Sequence, residues 1–178
     1  MFRTLTASLA LILALLTYPS SYGAQTAGEL IDDSTLATRV KAALAESDDV
    51  SALDINVEVH QGIVQLSGFV DSDIAETAAL ATAGKAEGAR DVIDAIVVLP
   101  GSRTVGQTID DATIQTKLKA ALADAEGLSN AIAINTGVRQ GHVLLAGFLP
   151  SEDAVNRAVE VARAIDGVKE VHNYLTVP

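Results

Sequence analysis

The 178-residue chain contains no cysteine and no tryptophan, and only 3% of its residues are aromatic. The absence of cysteine excludes disulfides, thiolate nucleophiles and sulfur-ligated metals. Basic residues are also scarce, because 12 lysines and arginines stand against 23 aspartates and glutamates, for a formal net charge of −11 at pH 7. Since phosphate backbones bind basic surfaces, we expect no nucleic-acid partner.

The chain also lacks the short motifs that mark common catalytic sites. It has no glycine-rich phosphate loop, no nucleophile elbow and no zinc signature. Its three histidines, His60, His142 and His172, do not recur at equivalent positions of the repeat described below. We interpret them as solvent-facing turn or strand residues, not as metal ligands or catalytic bases. The sequence therefore predicts no catalytic, cofactor-binding or metal site, no small-molecule substrate and no enzyme activity.

The N-terminus has the order of features of a secretory signal peptide. Arg3 supplies a positive charge, residues 5–16 are almost entirely apolar, and small residues follow. This apolar run is too short to cross a hydrocarbon core of about 30 Å as a stable helix. We expect residues 1–24 to be a signal peptide that is cleaved near Gly23 or Ala24, with an uncleaved anchor as the minor alternative. Because no cysteine follows, we expect a soluble periplasmic protein and not a lipoprotein.

The remainder of the chain is an internal repeat. Three pairs of segments carry the similarity: 31–35 and 109–113, 40–45 and 118–123, and 66–69 and 145–148. One residue is inserted near 128–131, where a loop can absorb it. The sequence predicts an N-terminal segment at 25–30, a first module at 31–99, a linker at 100–108 and a second module at 109–178.

Each module shows the periodicity of a helix, a hairpin, a second helix and a final strand. The pairs Asp32-Asp33 and Asp110-Asp111 are interpreted as caps at the start of the first helix. Alanines four residues apart form the buried face of the second helix, at 75, 79 and 83 and again at 154, 158 and 162. The sequence thus predicts an α+β fold of two αββαβ modules, each a three-stranded mixed sheet covered by two helices.

These modules resemble the BON domain. The resemblance rests on four features: the acidic first helix, a glycine in the hairpin turn, a Leu-x-Gly in the returning strand and a closing Gly-Val-x-x-Val. The turn glycines are Gly62 and Gly141, and the Leu-x-Gly patterns are Leu66–Gly68 and Leu145–Gly147. The closing pattern is Gly167–Val171 in the second copy, and the first copy keeps it only as Gly88–Val92. Tandem BON domains behind a signal peptide resemble a group of osmotically inducible periplasmic proteins and outer-membrane lipoproteins. The resemblance implies a non-enzymatic envelope protein that interacts with phospholipid and supports envelope integrity under osmotic stress.

Charge favours the second module as the one that contacts lipid. Residues 31–99 carry a net charge of −9 and residues 108–178 carry −3, so the first module repels anionic headgroups more strongly. Lys117 and Lys119 on the first helix of the second module are the candidate lipid-binding residues, although ordinary surface charge is the simpler interpretation. The partners expected are an anionic phospholipid surface or envelope proteins.

Two other functions remain open from the sequence. A soluble periplasmic stress or chaperone-like protein without lipid binding would use the acidic surface to keep its clients dispersed. A hydrolase with an unrecognised site is the third and weakest alternative.

The outer faces of the two sheets are predicted to be covered, most simply by each other. The last strand of the first module is apolar on both faces, whereas helices can cover only one face of a small sheet. The residues concerned are Ile63, Ile93, Ala95 and Val97 in the first module and His142, Leu144, Ala146 and Phe148 in the second.

The signal peptide generates the first testable prediction. Intact-mass analysis of a periplasmic extract should show a chain that starts near Ala24 or Gln25. Recovery of the full-length species in membranes alone would contradict it.

Overall fold

The computed structural model describes residues 27–47, 54–125, 128 and 134–178. The predicted signal peptide and most of the insertion near 128–131 lie outside the described residues. Each half of the chain forms an αββαβ module, as predicted. The first comprises α1 (Ala27–Ala45), β1 (Ile55–His60), β2 (Ile63–Val70), α2 (Asp73–Gly84) and β3 (Asp91–Val98). The second comprises α3 (Val105–Asp124), β4 (Asn135–Arg139), β5 (His142–Phe148), α4 (Glu152–Arg163) and β6 (Glu170–Thr176).

The two sheets have the same mixed topology. In the first, β2 lies in the centre, antiparallel to β1 and parallel to β3. The second sheet repeats this order with β5 in the centre. A two-residue turn suffices for the antiparallel pair, whereas the parallel pair needs a crossover, which α2 and α4 supply. The predicted α+β fold class is therefore confirmed.

Each module has its own apolar core between its helices and the inner face of its sheet. In the first module Leu36, Val40 and Leu44 of α1 are at most 3% exposed and pack with the inward residues of the strands. The alanine positions of the second helices are confirmed as close contacts, because Ala79, Ala83, Ala158 and Ala162 are fully buried. Small side chains at one helix face let the helix backbone lie near the sheet.

The predicted caps of the first helices are wrong. Helix α1 begins at Ala27 and α3 at Val105, so Asp32-Asp33 and Asp110-Asp111 lie inside the helices and not at their starts. Helix α3 is capped by Thr104, whose hydroxyl accepts a hydrogen bond from the backbone N–H of Gln107, while the Gln107 side chain accepts one from the N–H of Thr104. This capping box starts the helix within the segment predicted to be the linker.

The second aspartate of each pair binds the hairpin turn of its module. Asp33 is 7% exposed, and its two carboxylate oxygens accept hydrogen bonds from the backbone N–H groups of Gln61 and Gly62, both at 2.8 Å. Asp111 is 4% exposed and makes the same two bonds with the turn of the second module, at 2.8 and 2.9 Å. One carboxylate thus joins the first helix to the hairpin in each module.

These aspartates stabilise turns of unfavourable backbone conformation. Both central residues have positive φ, 50° and 78° at Gln61 and Gly62 and 54° and 83° at Gln140 and Gly141, as a type I′ turn requires. Glycine adopts this region freely, but a glutamine there costs about 1–2 kcal/mol. Hydrogen bonds to a charged acceptor contribute about 1.5–3 kcal/mol each, so the two bonds offset that cost.

The outer faces of the two sheets pack against each other. Gln65, Ser67 and Ala95 of the first module are at most 2% exposed, and so are Leu144 and Ala146 of the second. These residues point away from their own modules' helices, and strand β2 contacts both β4 and β5. The prediction that each outer face is covered by the other module is confirmed.

Specific contacts fix the register of this interface. The side-chain amide of Gln65 donates a hydrogen bond of 2.8 Å to the backbone carbonyl of Tyr174. The ring of His60 lies 5.1 Å from that of Phe148, with 28° between the ring planes.

The second hairpin also fits closely against the first module. At Gly137 a Cβ atom would lie 3.2 Å from the Phe69 ring, so the absence of a side chain at Gly137 makes room for that ring. Arg139 ties the second hairpin to the first module through an ion pair with Asp71 and a 2.8 Å hydrogen bond to the carbonyl of Gly101.

An acidic side chain is also enclosed at the interface. Glu58 accepts a hydrogen bond of 2.8 Å from the side-chain amide of Asn135. Burial raises the pKa of Glu58 above its usual value, although the bond to Asn135 and the charge of Lys41 act in the opposite direction. Desolvation of this carboxylate is therefore a cost of joining the modules at neutral pH.

Within the part of the chain that the structure describes, no helix is both long and apolar enough to span a bilayer.

The turn contacts generate the second prediction. Replacing Asp111 by Asn should lower the free energy of unfolding by about 2–4 kcal/mol, because asparagine offers one acceptor oxygen to two N–H donors. Urea unfolding followed by circular dichroism measures the change. The matched control is Asp110→Asn at the exposed neighbouring position, which should shift stability by no more than about 0.5 kcal/mol. Equal effects of the two substitutions would contradict the prediction.

The interface generates the third prediction. Glu58→Gln should raise the melting temperature at pH 7, because glutamine keeps an acceptor for Asn135 without a buried charge. A raised pKa means that folding favours the protonated carboxyl, so its ionisation destabilises the native state above the unfolded pKa of about 4.3. The advantage of the variant should therefore shrink as the pH falls toward 4. A melting-temperature difference that is constant between pH 4 and pH 7 would disprove this account.

Candidate functional site

A cleft lies beside the hairpin turn of each module, between the first helix, the turn and the segment that follows the second helix. Its volume is about 440 Å³ in the first module and about 320 Å³ in the second. The linings correspond between modules: Asp33 with Asp111, Arg39 with Lys117, Glu87 with Asp166, Gly88 with Gly167, and Arg90 with Lys169. The repeat has therefore preserved a polar cleft as well as a fold.

The basic groups of the first cleft are occupied by backbone carbonyls. Arg39 donates a hydrogen bond of 3.1 Å to the carbonyl of Glu87, and Arg90 donates one of 3.3 Å to the carbonyl of Gln61. In the second cleft Lys169 repeats the bond to the turn, at 2.8 Å from the carbonyl of Gln140. Arg90 and Lys169 thus bind the carbonyl of the same glutamine whose N–H the aspartate binds.

Lys117 differs from the arginine that it replaces. It is exposed and lines the second cleft, and among the described residues it has neither a hydrogen-bond partner nor an ion-pair partner. Lys119 is exposed and equally unpaired within the described ranges, but it does not line the cleft. The two lysines predicted from the sequence are thus available to an external anion, although the fold does not bring them into one pocket.

Helix α3 carries exposed apolar side chains in the turns that precede these lysines. Val105 is 80% exposed and Ile109 is 62% exposed. Four residues apart, they lie on one face of the helix, opposite the buried face of Ile114 and Leu118. At 100° and 1.5 Å per residue, Lys117 lies about 100° to one side of the centre of that face and Lys119 about 60° to the other, both about 12–21 Å further along the helix. Helix α3 therefore carries a small exposed apolar patch in its first turns and two unpaired lysines further along.

The sequence did not identify this strip because helix α3 starts earlier than predicted. Because residues 100–108 were interpreted as a linker, Val105 was not placed on the same helix as Ile109. The available signal was Thr104 followed by Gln107, since threonine with glutamine three residues later is the pattern of a capping box.

Two histidines and a glutamate meet on the outer face of the second sheet. His142 on β5 lies in register with Glu170 on the parallel strand β6, and His172 follows two residues later on the same face. Nδ1 of His142 lies 3.2 Å from Nε2 of His172 and 3.3 Å from a carboxylate oxygen of Glu170. Nε2 of His172 lies 3.9 Å from that oxygen.

This cluster corrects the interpretation of these histidines as solvent-facing. The side chains of His142 and His172 are only 24% and 20% exposed, whereas that of Glu170 is 57% exposed. Burial lowers the pKa of His172, despite the opposing charge of Glu170 and with a further lowering from His142. The sequence offered little signal, since the residues come together only through the register of two parallel strands.

The chain is similar to a known domain family and to two named bacterial proteins. The family model described as the BON domain matches residues 32–100 and again residues 110–178. Osmotically-inducible protein Y of Escherichia coli (strain K12) is 35% identical over 153 residues, which cover 83% of this chain and 74% of the relative. The outer membrane lipoprotein DolP of Haemophilus influenzae is 41% identical over 80 residues, covering 42% of this chain and 39% of the lipoprotein.

Among solved structures, the C-terminal domain of CdsD, a structural protein of the type III secretion system of Chlamydia trachomatis, aligns over 82% of this chain and 67% of its own. The TM-score is 0.33 and the sequence identity 14%, so no argument about function rests on this likeness.

Proposed function

Because this chain belongs to the BON-domain family, with two BON domains in tandem, we propose that it is a non-enzymatic envelope protein that docks on anionic phospholipid through helix α3. The observation that carries the proposal is the exposed surface of α3, where Val105 and Ile109 are exposed in the first turns and Lys117 and Lys119 are exposed about two to four turns further along. The names of two relatives support a location in the cell envelope, since one is an osmotically inducible protein and the other an outer membrane lipoprotein.

The chemistry of this face suits the lipid headgroup region. Transfer of an exposed valine or isoleucine out of water contributes about 1.5–3 kcal/mol when the side chain is fully buried. Each lysine near an anionic surface adds about 1 kcal/mol, and its aliphatic stem can extend along the apolar layer while the ammonium stays among the phosphates. Together these contributions give weak, reversible binding.

Electrostatic repulsion limits the affinity of the protein for an anionic membrane and determines which module faces the membrane. The first module carries a net charge of −9 and the second −3, so the protein approaches an anionic surface best with its second module foremost. The lysines are exposed, and their attraction is screened within about 8 Å at physiological ionic strength. We expect the binding to need anionic lipid and to weaken as salt is added.

We propose that the protein is located in the periplasm. It rests on the sequence pattern of residues 1–24, with cleavage near Gly23 or Ala24, and on the absence of a cysteine for lipid attachment. A periplasmic protein that binds the membrane surface reversibly would be available to support the envelope under osmotic stress. A chaperone-like role without lipid binding is the alternative that the next experiment separates.

The proposal yields the fourth prediction. Mature protein should co-sediment with vesicles that contain phosphatidylglycerol at low salt, more weakly at physiological salt, and not with phosphatidylcholine vesicles. Lys117→Glu/Lys119→Glu and, separately, Val105→Ser/Ile109→Ser should each weaken binding at least about tenfold, because each pair supplies about 2 kcal/mol or more.

Two matched controls in the first module distinguish this face from general surface effects. Lys85→Glu makes the same change in net charge as Lys117→Glu alone, and Ile74→Ser removes an apolar side chain that is 72% exposed. Both controls should bind vesicles nearly as the unmodified protein does. Equal binding by all variants would remove α3 from the account, and no binding by any protein would favour the chaperone-like alternative.

A further inference from the structure

We propose that His142, His172 and Glu170 form a binding site for a divalent transition-metal ion of the zinc type. The three side chains belong to the second module only and lie on the outer face of its sheet. This inference is independent of lipid docking, because none of the three residues lies on helix α3.

The separations of the three atoms fit one metal ion. In a tetrahedral zinc site the metal–nitrogen and metal–oxygen bonds are about 2.0–2.2 Å, which places neighbouring ligand atoms about 3.3–3.5 Å apart. The nitrogen of His142 lies 3.2 Å from that of His172 and 3.3 Å from the oxygen of Glu170. The third separation, between His172 and Glu170, is 3.9 Å, and the Glu170 side chain is 57% exposed and has room to close it.

The chemistry of the donors selects the class of metal. Two imidazole nitrogens with one carboxylate oxygen suit Zn²⁺, Cu²⁺ or Ni²⁺, whereas Mg²⁺ and Ca²⁺ prefer oxygen ligands throughout. Metal binding requires both imidazoles to be neutral and the carboxyl to be ionised. With three protein ligands, a solvent molecule would occupy the fourth position.

The first module provides an internal comparison. Its sheet has the same register, with Ile63 paired to Asp91 where His142 is paired to Glu170. Ile93 occupies the place of His172. The fold therefore accommodates isoleucine at these positions without any need for imidazole, and isoleucine is the substitution of choice for testing the site.

Isothermal titration of the untagged protein with ZnCl₂ tests the proposal. One equivalent of Zn²⁺ should bind, and MgCl₂ at the same concentration should give no binding. His142→Ile and His172→Ile should each weaken Zn²⁺ binding by more than about 100-fold, since loss even of outer-shell partners costs about 10–100-fold. Glu170→Gln, an exposed substitution that should leave the fold unchanged, should weaken binding by about tenfold or more.

The control is His60→Gln, which removes the histidine of the first module, and this variant should bind Zn²⁺ with unchanged affinity. Cobalt(II) gives a second readout, because its visible absorption should be that of a tetrahedral site in the unmodified protein and be lost in His172→Ile. Absence of Zn²⁺ binding, or binding that survives the His142, His172 and Glu170 substitutions, would overturn the proposal. If the isoleucine variants do not fold, the Zn²⁺ affinity of Glu170→Gln and the cobalt spectra of the unmodified protein and of Glu170→Gln decide it.

Discussion

A single buried carboxylate organises each module of this protein. Asp33 and Asp111 sit on the first helix of their modules, and each binds both N–H groups of a tight hairpin turn. The helix is thereby held in register with the sheet, and a turn with a glutamine at positive φ becomes tolerable. Arg90 and Lys169 bind the carbonyls of the same turns. The aspartate and the basic residue of each module also line the cleft beside its turn.

The second constraint is the small size of the modules. A module of about 70 residues buries a limited core, and its two helices can cover only one face of its sheet. The remaining faces meet in the middle of the molecule, where Ala95, Leu144 and Ala146 are almost completely buried. Some polar groups trapped there are paired, as the Gln65 amide is with the Tyr174 carbonyl and Glu58 with Asn135, whereas the side-chain oxygen of Gln65 is buried without a partner among the described residues. Two copies thus complete one another, which is a physical reason for the tandem arrangement.

The two halves have diverged where the fold does not constrain them. Arg39 in the first cleft is bound to a backbone carbonyl, whereas Lys117 at the corresponding position is exposed and lines the second cleft. On the outer sheet face, Ile63 and Ile93 correspond to His142 and His172. Both candidate binding surfaces, the outward face of α3 and the histidine cluster, belong to the second module. The first module carries the stronger negative charge and has no such metal-ligating cluster among its described residues.

The sequence by itself determined the repeat, the αββαβ order, the alanine faces of the second helices and the family, because these features are written in local periodicity and in residues repeated at a constant offset. It also indicated that the outer sheet faces must be covered, since an apolar strand face cannot remain in water. Local pattern misassigned Asp33 and Asp111 as helix caps, because the turn N–H groups that they bind lie about 28 residues away in sequence. Only the tertiary structure decided those bonds, the exposure of Val105 beside Ile109, and the meeting of His142, His172 and Glu170, since each depends on strand register or on where a helix begins.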